Sequence, residues 1–149
     1  MPEYYDSLET RSPDGRERSL MSALSAQVAH AKQTARGWAG ILAGVDASAV
    51  ATRAELAKLP VTRKSDLMEL QKRDRPFGGL NATPLSGLGR VFVSPGPIYD
   101  PEGRGRDWWR TARALFAAGF RPGDLALNAF AYHFTPAGSM MASSRSATE

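Results

Sequence analysis

The sequence predicts an α/β fold: N-terminal helices followed by one βαβ unit of a parallel sheet. Three observations predict it. Apolar residues recur with helical period through the first third of the chain. A short β-branched run, Gly89 to Ser94, follows a loop rich in Gly and Pro. A helical pattern and a second apolar run, Leu125 to Ala131, come next, so that strand, helix and strand succeed one another over Val91 to Ala131.

The first helix is expected from Pro13 to about Gly44. Ser12 is placed to cap it, and Pro13 suits its first position, where no amide is needed. Leu20, Leu24, Val28, Ala31, Ala35, Trp38, Leu42 and Val45 recur at steps of four and three, one apolar stripe on one face. Gly37 and Gly40 weaken the second half, so a break is expected there. His30 lies beside the stripe and is given no role. Thr52 and Glu55 have capping-box spacing and open a short helix, "RAELAKL", which Leu59-Pro60 ends. Thr62 is expected to cap the next, "RKSDLMELQKR", with Leu67 and Leu70 inward. "RPFGGLNATPLSGLG" reads as loop.

"GRVFVS" reads as a strand, and "SPGPIYDPEG" as the loop leaving its carboxyl end. "RDWWRTARALFAAG" is then a helix with Trp108, Trp109, Ala112, Leu115 and Phe116 on its apolar side and Gly119 as its stop. Helical spacing makes core packing the expected role of the Trp pair. "RPGD" is a tight turn with Pro and Gly at its centre. "LALNAFA" is a second strand, apolar on both faces, and Thr135-Pro136 opens a final helix, "AGSMMASS". Two parallel strands joined by a crossover place "SPGPIY" and "YHFTPAG" at one sheet edge, where ligands of such folds bind.

Composition narrows the function. The chain has 149 residues, 42% hydrophobic and 23% charged, enough for a core. It carries no cysteine, which excludes disulfides, thiol catalysis and thiolate metal sites and is compatible with a cytoplasmic location. The first 18 residues are polar, unlike a secretory signal. No apolar run approaches the roughly 20 residues of a membrane span. Of the 19 basic residues 15 are Arg, scattered among acids, giving a net charge of +4. There is no basic stripe and no stacking motif, so no nucleic-acid partner is expected.

"LAKLPVTRKSDLMELQ" resembles the segment that precedes the first conserved loop of phenylacetate–CoA ligase-like enzymes, with its "sLxxLPxttKxdL" pattern. "DWWRTARALFAAGFRPGDLALNAFAYHFTPAG" resembles the stretch after it, with its "ARaLxaaGxrpGD" helix and turn and its "nxxxYxxxxxG" strand end. The resemblance runs from about Tyr4 to Met141 and points to the adenylate-forming (AMP-dependent synthetase and ligase) superfamily. It implies an incomplete part of an adenylate-forming large domain: a helical segment over 1–88, the first βαβ unit over 89–141, and an unaligned polar tail over 142–149. It also implies a carboxylic acid substrate, aromatic by resemblance, with ATP, Mg2+ and CoA as cofactors of the intact family. The acid attacks the α-phosphorus of ATP, and the CoA thiol then takes the acyl group.

Under that resemblance Ser94, Gly96 and Tyr99 stand at the ATP-loop position, and Tyr132, His133, Thr135 and Gly138 at the substrate pocket. No catalytic residue and no metal ligand is assigned. The sequence departs from the family at the loop, where "PGPIYDPEG" replaces a Ser, Thr and Gly-rich run ending in lysine. Pro95 and Pro97 lack amides for phosphate. Arg104 and Arg106 are the nearest substitutes for the lysine, although a solvated helix entrance explains them more simply. It departs again after "TPAGSMM", where the family continues through its adenine and magnesium contacts and a late lysine. The expectation is a truncated acyl-CoA ligase-like chain, inactive and marginally stable alone, with no cofactor bound. The alternative is a non-catalytic interaction protein whose helical stripe and open sheet dock a partner or a second copy.

Overall fold

The computed structural model describes residues 3–147. They form two compact units, one from Arg11 to Pro84, the other from Leu85 onward together with the N-terminal segment up to Thr10.

The first unit is helical. Helix α1 runs Pro13–Thr34, and Ser12 caps it by accepting the Gly15 amide at 3.1 Å. The stripe forms this unit's core: Val28, Leu42 and Val50 are buried, with Leu24, Ala31, Trp38, Ile41, Val45 and Leu59 packed on them, while Leu20 lies exposed at the start of the row. The expected continuous helix is broken at Ala35, which is extended (φ −132°, ψ 110°), and α2 resumes at Arg36–Ile41. The break falls just before Gly37, whose amide leaves the helical pattern to donate to Gly79 O at 2.8 Å. The Ser25 hydroxyl donates to Val50 O at 2.9 Å, and the Lys32 ammonium donates to Val45 O, fastening the 3₁₀ turn Ala47–Ala49 and its approach to α1.

Helix α3, Arg53–Leu56, is capped as expected, Thr52 Oγ1 accepting the Glu55 amide at 3.1 Å. Helix α4, Lys64–Arg73, begins two residues after Thr62, and its cap position is Arg63, which makes no side-chain cap. The expectation of a Thr62 cap is therefore corrected. Arg63 and Lys64 follow Thr62 before the first turn closes, beyond the reach of its hydroxyl to the first free amides.

Two carboxylates in this unit have pKa values below the usual carboxylate range. Hydrogen bonds from the Arg53 guanidinium hold Glu17 down, at 2.7 Å to each oxygen. The Ser48 hydroxyl and amide do the same for Asp46. A depressed folded-state pKa contributes stability that is present above the unfolded pKa and lost as pH falls through the folded value. Acidification from about pH 5 to about pH 2 should therefore lower Tm, modestly, because both groups are solvent-screened. Glu17→Gln should lower Tm near neutrality and converge on the parent at the acid end. A gap that widens toward low pH would contradict this.

The second unit departs from the predicted βαβ. Strand β1, Leu88–Ser94, pairs antiparallel with β2, Ile98–Gly103, in register Ser94↔Ile98 through Leu88↔Gly103, with an irregularity between Leu88 and Arg90. Among the described residues this two-stranded hairpin is the only sheet. "SPGPIY" is thus a hairpin turn and not a strand-to-helix loop. Pro95-Gly96-Pro97 reverses the chain, and Gly96 at φ 154° supplies a backbone angle that few other residues adopt. Pro101 is tolerated in β2 because β2 has one neighbour and an open edge.

The predicted helix is also shorter: α5 is Ala112–Ala117, and the Trp pair precedes it. Asp107 and Arg110 both have positive φ (49° and 57°), and Asp107 Oδ1 accepts the amides of Thr111 and Ala112 at 2.9 and 3.0 Å. Helical backbone cannot pass through such angles. The turn after α5 is as read: Gly123 has φ 90°, and the Arg121 amide donates to Asp124 Oδ2 at 2.7 Å. Leu125 to Ala131 forms no ladder and bends at Phe130, and Leu125 and Leu127 are 99% and 96% exposed. A strand exists only where a neighbour takes its amides and carbonyls, and none stands beside it among the described residues. Helix α6, Ala137–Ala147, opens after Thr135-Pro136 and runs into the polar tail.

The N-terminal segment packs on α5. The Tyr5 ring meets Phe116 edge-on at 5.7 Å. Arg113 pairs with Asp6 at 2.6 Å and Glu9 at 2.5 Å, and its guanidinium lies 5.1 Å from the centre of the Tyr5 ring. The two carboxylates hold the Arg113 pKa above its ordinary value.

Candidate functional site

Two stretches singled out in the sequence come together although the topology differs from the expected one. The Val93 amide, at the end of β1, donates to Phe134 O at 2.7 Å. This ties the hairpin beside the segment Tyr132 to Gly138.

The hairpin turn offers few donors. Ser94 Oγ is 3.4 Å from Ile98 O across the turn, Gly96 contributes its amide, and Tyr99 stands exposed on β2. Pro95 and Pro97 contribute none. Arg104 and Arg106 follow the far end of β2, separated from the turn by its six residues, roughly 20 Å of strand. They do not take the place of a loop lysine. This donor set does not fit a triphosphate, which needs several amides and a cation converging on one point. No group of three or more His, Cys, Asp or Glu suited to a metal occurs among the described residues.

A groove of about 560 Å³ takes one wall, Tyr132, from the Tyr132 to Gly138 segment, and its others from Leu115, Phe120, residues 126–130 and residues 141–142. Leu115, Phe120, Phe130 and Met141 make it apolar, and Asn128 and Tyr132 give it a polar edge. Asn128 organises that edge. Its amide nitrogen donates to Tyr132 Oη at 2.8 Å and to Gly138 O at 2.9 Å, and its oxygen accepts the Phe130 amide at 3.1 Å. Gly138 is buried, and a Cβ there would come within 2.6 Å of Ala131 O, so the two stretches of chain pass each other closely at that point. His133 is exposed and Thr135 half-buried; neither lines the groove. Asn128 had no role in the sequence reading, yet it is the first position of the "nxxxYxxxxxG" pattern. Its hydrogen bonds are the physical link between the three fixed positions of that pattern.

A second polar cluster was not anticipated. Glu102, 4% exposed, receives Arg90 Nε and Nη2 at 2.7 and 2.6 Å on one oxygen and Trp109 Nε1 at 2.7 Å on the other. Arg90 Nη1 donates to the buried Ser139 hydroxyl at 3.0 Å, joining the hairpin to α6. With both oxygens satisfied, the carboxylate is held as a structural ion pair.

No family model and no curated protein matches the chain. Solved structures do. 2-Hydroxyisobutyryl-CoA ligase in the postadenylation state, in complex with 2-HIB-AMP, superposes with a TM-score of 0.79 at 24% identity, over 91% of this chain and 30% of that one. The same ligase with 2-HIB-AMP and CoA in the thioesterification state gives 0.79 at 24% identity, over 93% and 31%. An open conformation with the same ligands gives 0.76 at 26% identity, over 84% and 31%. This chain therefore has the fold of part of an adenylate-forming CoA ligase, and it spans about 30% of that protein's length.

Proposed function

We propose that the chain supplies the acid-binding face of an AMP-forming carboxylate–CoA ligase of the phenylacetate–CoA ligase type and performs no ligation alone. The likeness in fold to a CoA ligase carries this reading. The groove supports the choice of an aromatic acid: its walls are Leu, Phe and Met, suited to a ring, and the Asn128–Tyr132 edge suits a carboxylate. Tyr132 and Gly138 shape that edge, with His133 and Thr135 beyond it. Ser94, Gly96 and Tyr99 would border the nucleotide in an intact ligase. ATP, Mg2+ and CoA belong to that whole protein, in which ATP activates the acid and CoA receives it. This chain's own residues orient the acid and exclude water from its ring.

Titrating phenylacetate into the 15N-labelled chain should shift the amides of Asn128, Tyr132, Gly138 and Met141. Acetate at equal concentration should leave them nearly unmoved, and Tyr132→Phe should weaken binding by about tenfold, the worth of one hydrogen bond from its hydroxyl to a charged group. Pyrophosphate release from ATP and phenylacetate should be undetectable. Shifts dispersed over the chain, or unchanged by Tyr132→Phe, would sink the reading.

The alternative of an interaction protein loses half of its support. The stripe from Leu24 to Val45 is consumed in the core of its own unit. The exposed Leu125, Leu127 and Phe134 still favour a partner or a second copy.

A further inference from the structure

Leu125 to Ala129 has the pattern of a strand and no neighbour. Exposure alternates along it: Leu125, Leu127 and Ala129 are exposed, while Ala126 and Asn128 are half-buried. A period of two is the signature of a strand with one covered face, and here the open face is the apolar one. Among the described residues, the amides and carbonyls of Leu125, Ala126, Leu127 and Ala129 make no hydrogen bond. Unpaired backbone beside exposed apolar side chains is a template for a second strand.

The segment is suited to pair with itself. Residues 125–134 contain no Asp, Glu, Lys or Arg, so two copies bring no like charges together. In an antiparallel pair centred on Leu127, Leu127 meets Leu127 and each Leu125 meets the small Ala129. Asp124, the nearest charge, falls opposite Phe130 and not opposite its own copy.

The area is sufficient. Leu127, Phe130 and Tyr132 line one groove, and Leu125 continues the row. With Phe130 57% and Tyr132 55% exposed, these four side chains offer roughly 400 Å² of apolar surface per copy. Two copies bring roughly 800 Å², and homodimer interfaces are about 65% apolar, so the whole contact comes to roughly 1,200 Å², the lower limit of a stable interface.

We propose that this segment joins two copies of the chain, Leu125 to Ala129 of each pairing antiparallel about a two-fold axis at Leu127. The contact is closed and self-complementary, and it does not depend on which acid the groove takes.

Sedimentation velocity of the full chain tests it. The parent should pass from monomer to dimer over roughly 1–200 µM, the weak end for an interface of this size, with nothing larger. Leu127→Asp and Leu127→Lys should each weaken association at least about a hundredfold, since each sets like charges against one another on the axis. An equimolar mixture of the two should dimerise again. Both should keep the parent's Tm at a dilution where the parent is monomeric, because residue 127 is almost fully exposed. The chain has no cysteine, so Leu127→Cys reports the contact directly. It should oxidise to a covalent dimer at least about tenfold faster than Val61→Cys, an exposed position in the helical unit. A parent that stays monomeric throughout would assign the segment to a different protein and overturn the proposal. A dimer that survives Leu127→Asp, a mixture that stays monomeric, or equal oxidation of the two cysteine variants would overturn it as well.

Discussion

Phe116→Ala is expected to unfold the unit built from Leu85 onward and the N-terminal segment. Phe116 is buried on α5 with Ala112 and Leu115. One edge meets Tyr5, and the Arg121 guanidinium lies 3.7 Å from the ring centre. Arg121 Nη1 also donates to Phe116 O at 2.7 Å and Phe120 O at 2.9 Å, so the same guanidinium that lies over the ring ties down the turn after the helix. Truncating a buried Phe costs about 3–5 kcal/mol, and the lost cation–π contact adds about 0.5–1. A whole domain is stable by only about 5–15 kcal/mol. This unit has a two-stranded sheet and a six-residue α5 to draw on. In the variant, amide dispersion should collapse over residues 85–143 and for Tyr5 and Asp6, while residues 11–84 keep theirs, because Val28, Leu42 and Val50 form a separate core. Uniform loss over both stretches, or a cost under about 1 kcal/mol, would show that the ring is not the centre of its unit.

The helical unit was legible because its determinants are local. Ser12, Pro13 and Thr52 act within one turn of themselves, and the stripe from Leu24 to Val45 needs only a helix to become a face. The hairpin was hidden by its own prolines. Pro97 and Pro101 argue against a strand, and they are tolerated here only because the turn needs no amide at one and the sheet has an open edge at the other. Leu125 to Ala131 has the composition of a buried strand, yet composition does not supply a neighbour to pair with. Glu102 was invisible for a related reason: an acid in a strand reads as solvent-facing, and only the fold brings Arg90 and Trp109 onto its two oxygens. Asn128 was within reach, since its spacing to Tyr132 and Gly138 was already written in the pattern.

Gly37→Ala and Gly40→Ala should change stability in opposite directions, although sequence reasoning treats both as helix-weakening glycines. Both lie in α2, and alanine is the better helix former by about 1 kcal/mol. Gly40 has nothing within 4 Å of the position its Cβ would take, so Gly40→Ala should gain about 0.5–1 kcal/mol. At Gly37 a Cβ would lie 2.6 Å from Gly78 O and 2.9 Å from Gly79 C. These are backbone atoms and cannot rotate aside. To admit the methyl, α2 must move off the Phe77–Leu80 segment, and the 2.8 Å bond from the Gly37 amide to Gly79 O goes with it. Overpacking costs about 1–3 kcal/mol and the lost hydrogen bond about 1, together outweighing the propensity gain. Urea melts of the two variants should thus bracket the parent. Two shifts of the same sign would mean that propensity, not the approach of two backbones, decides this position.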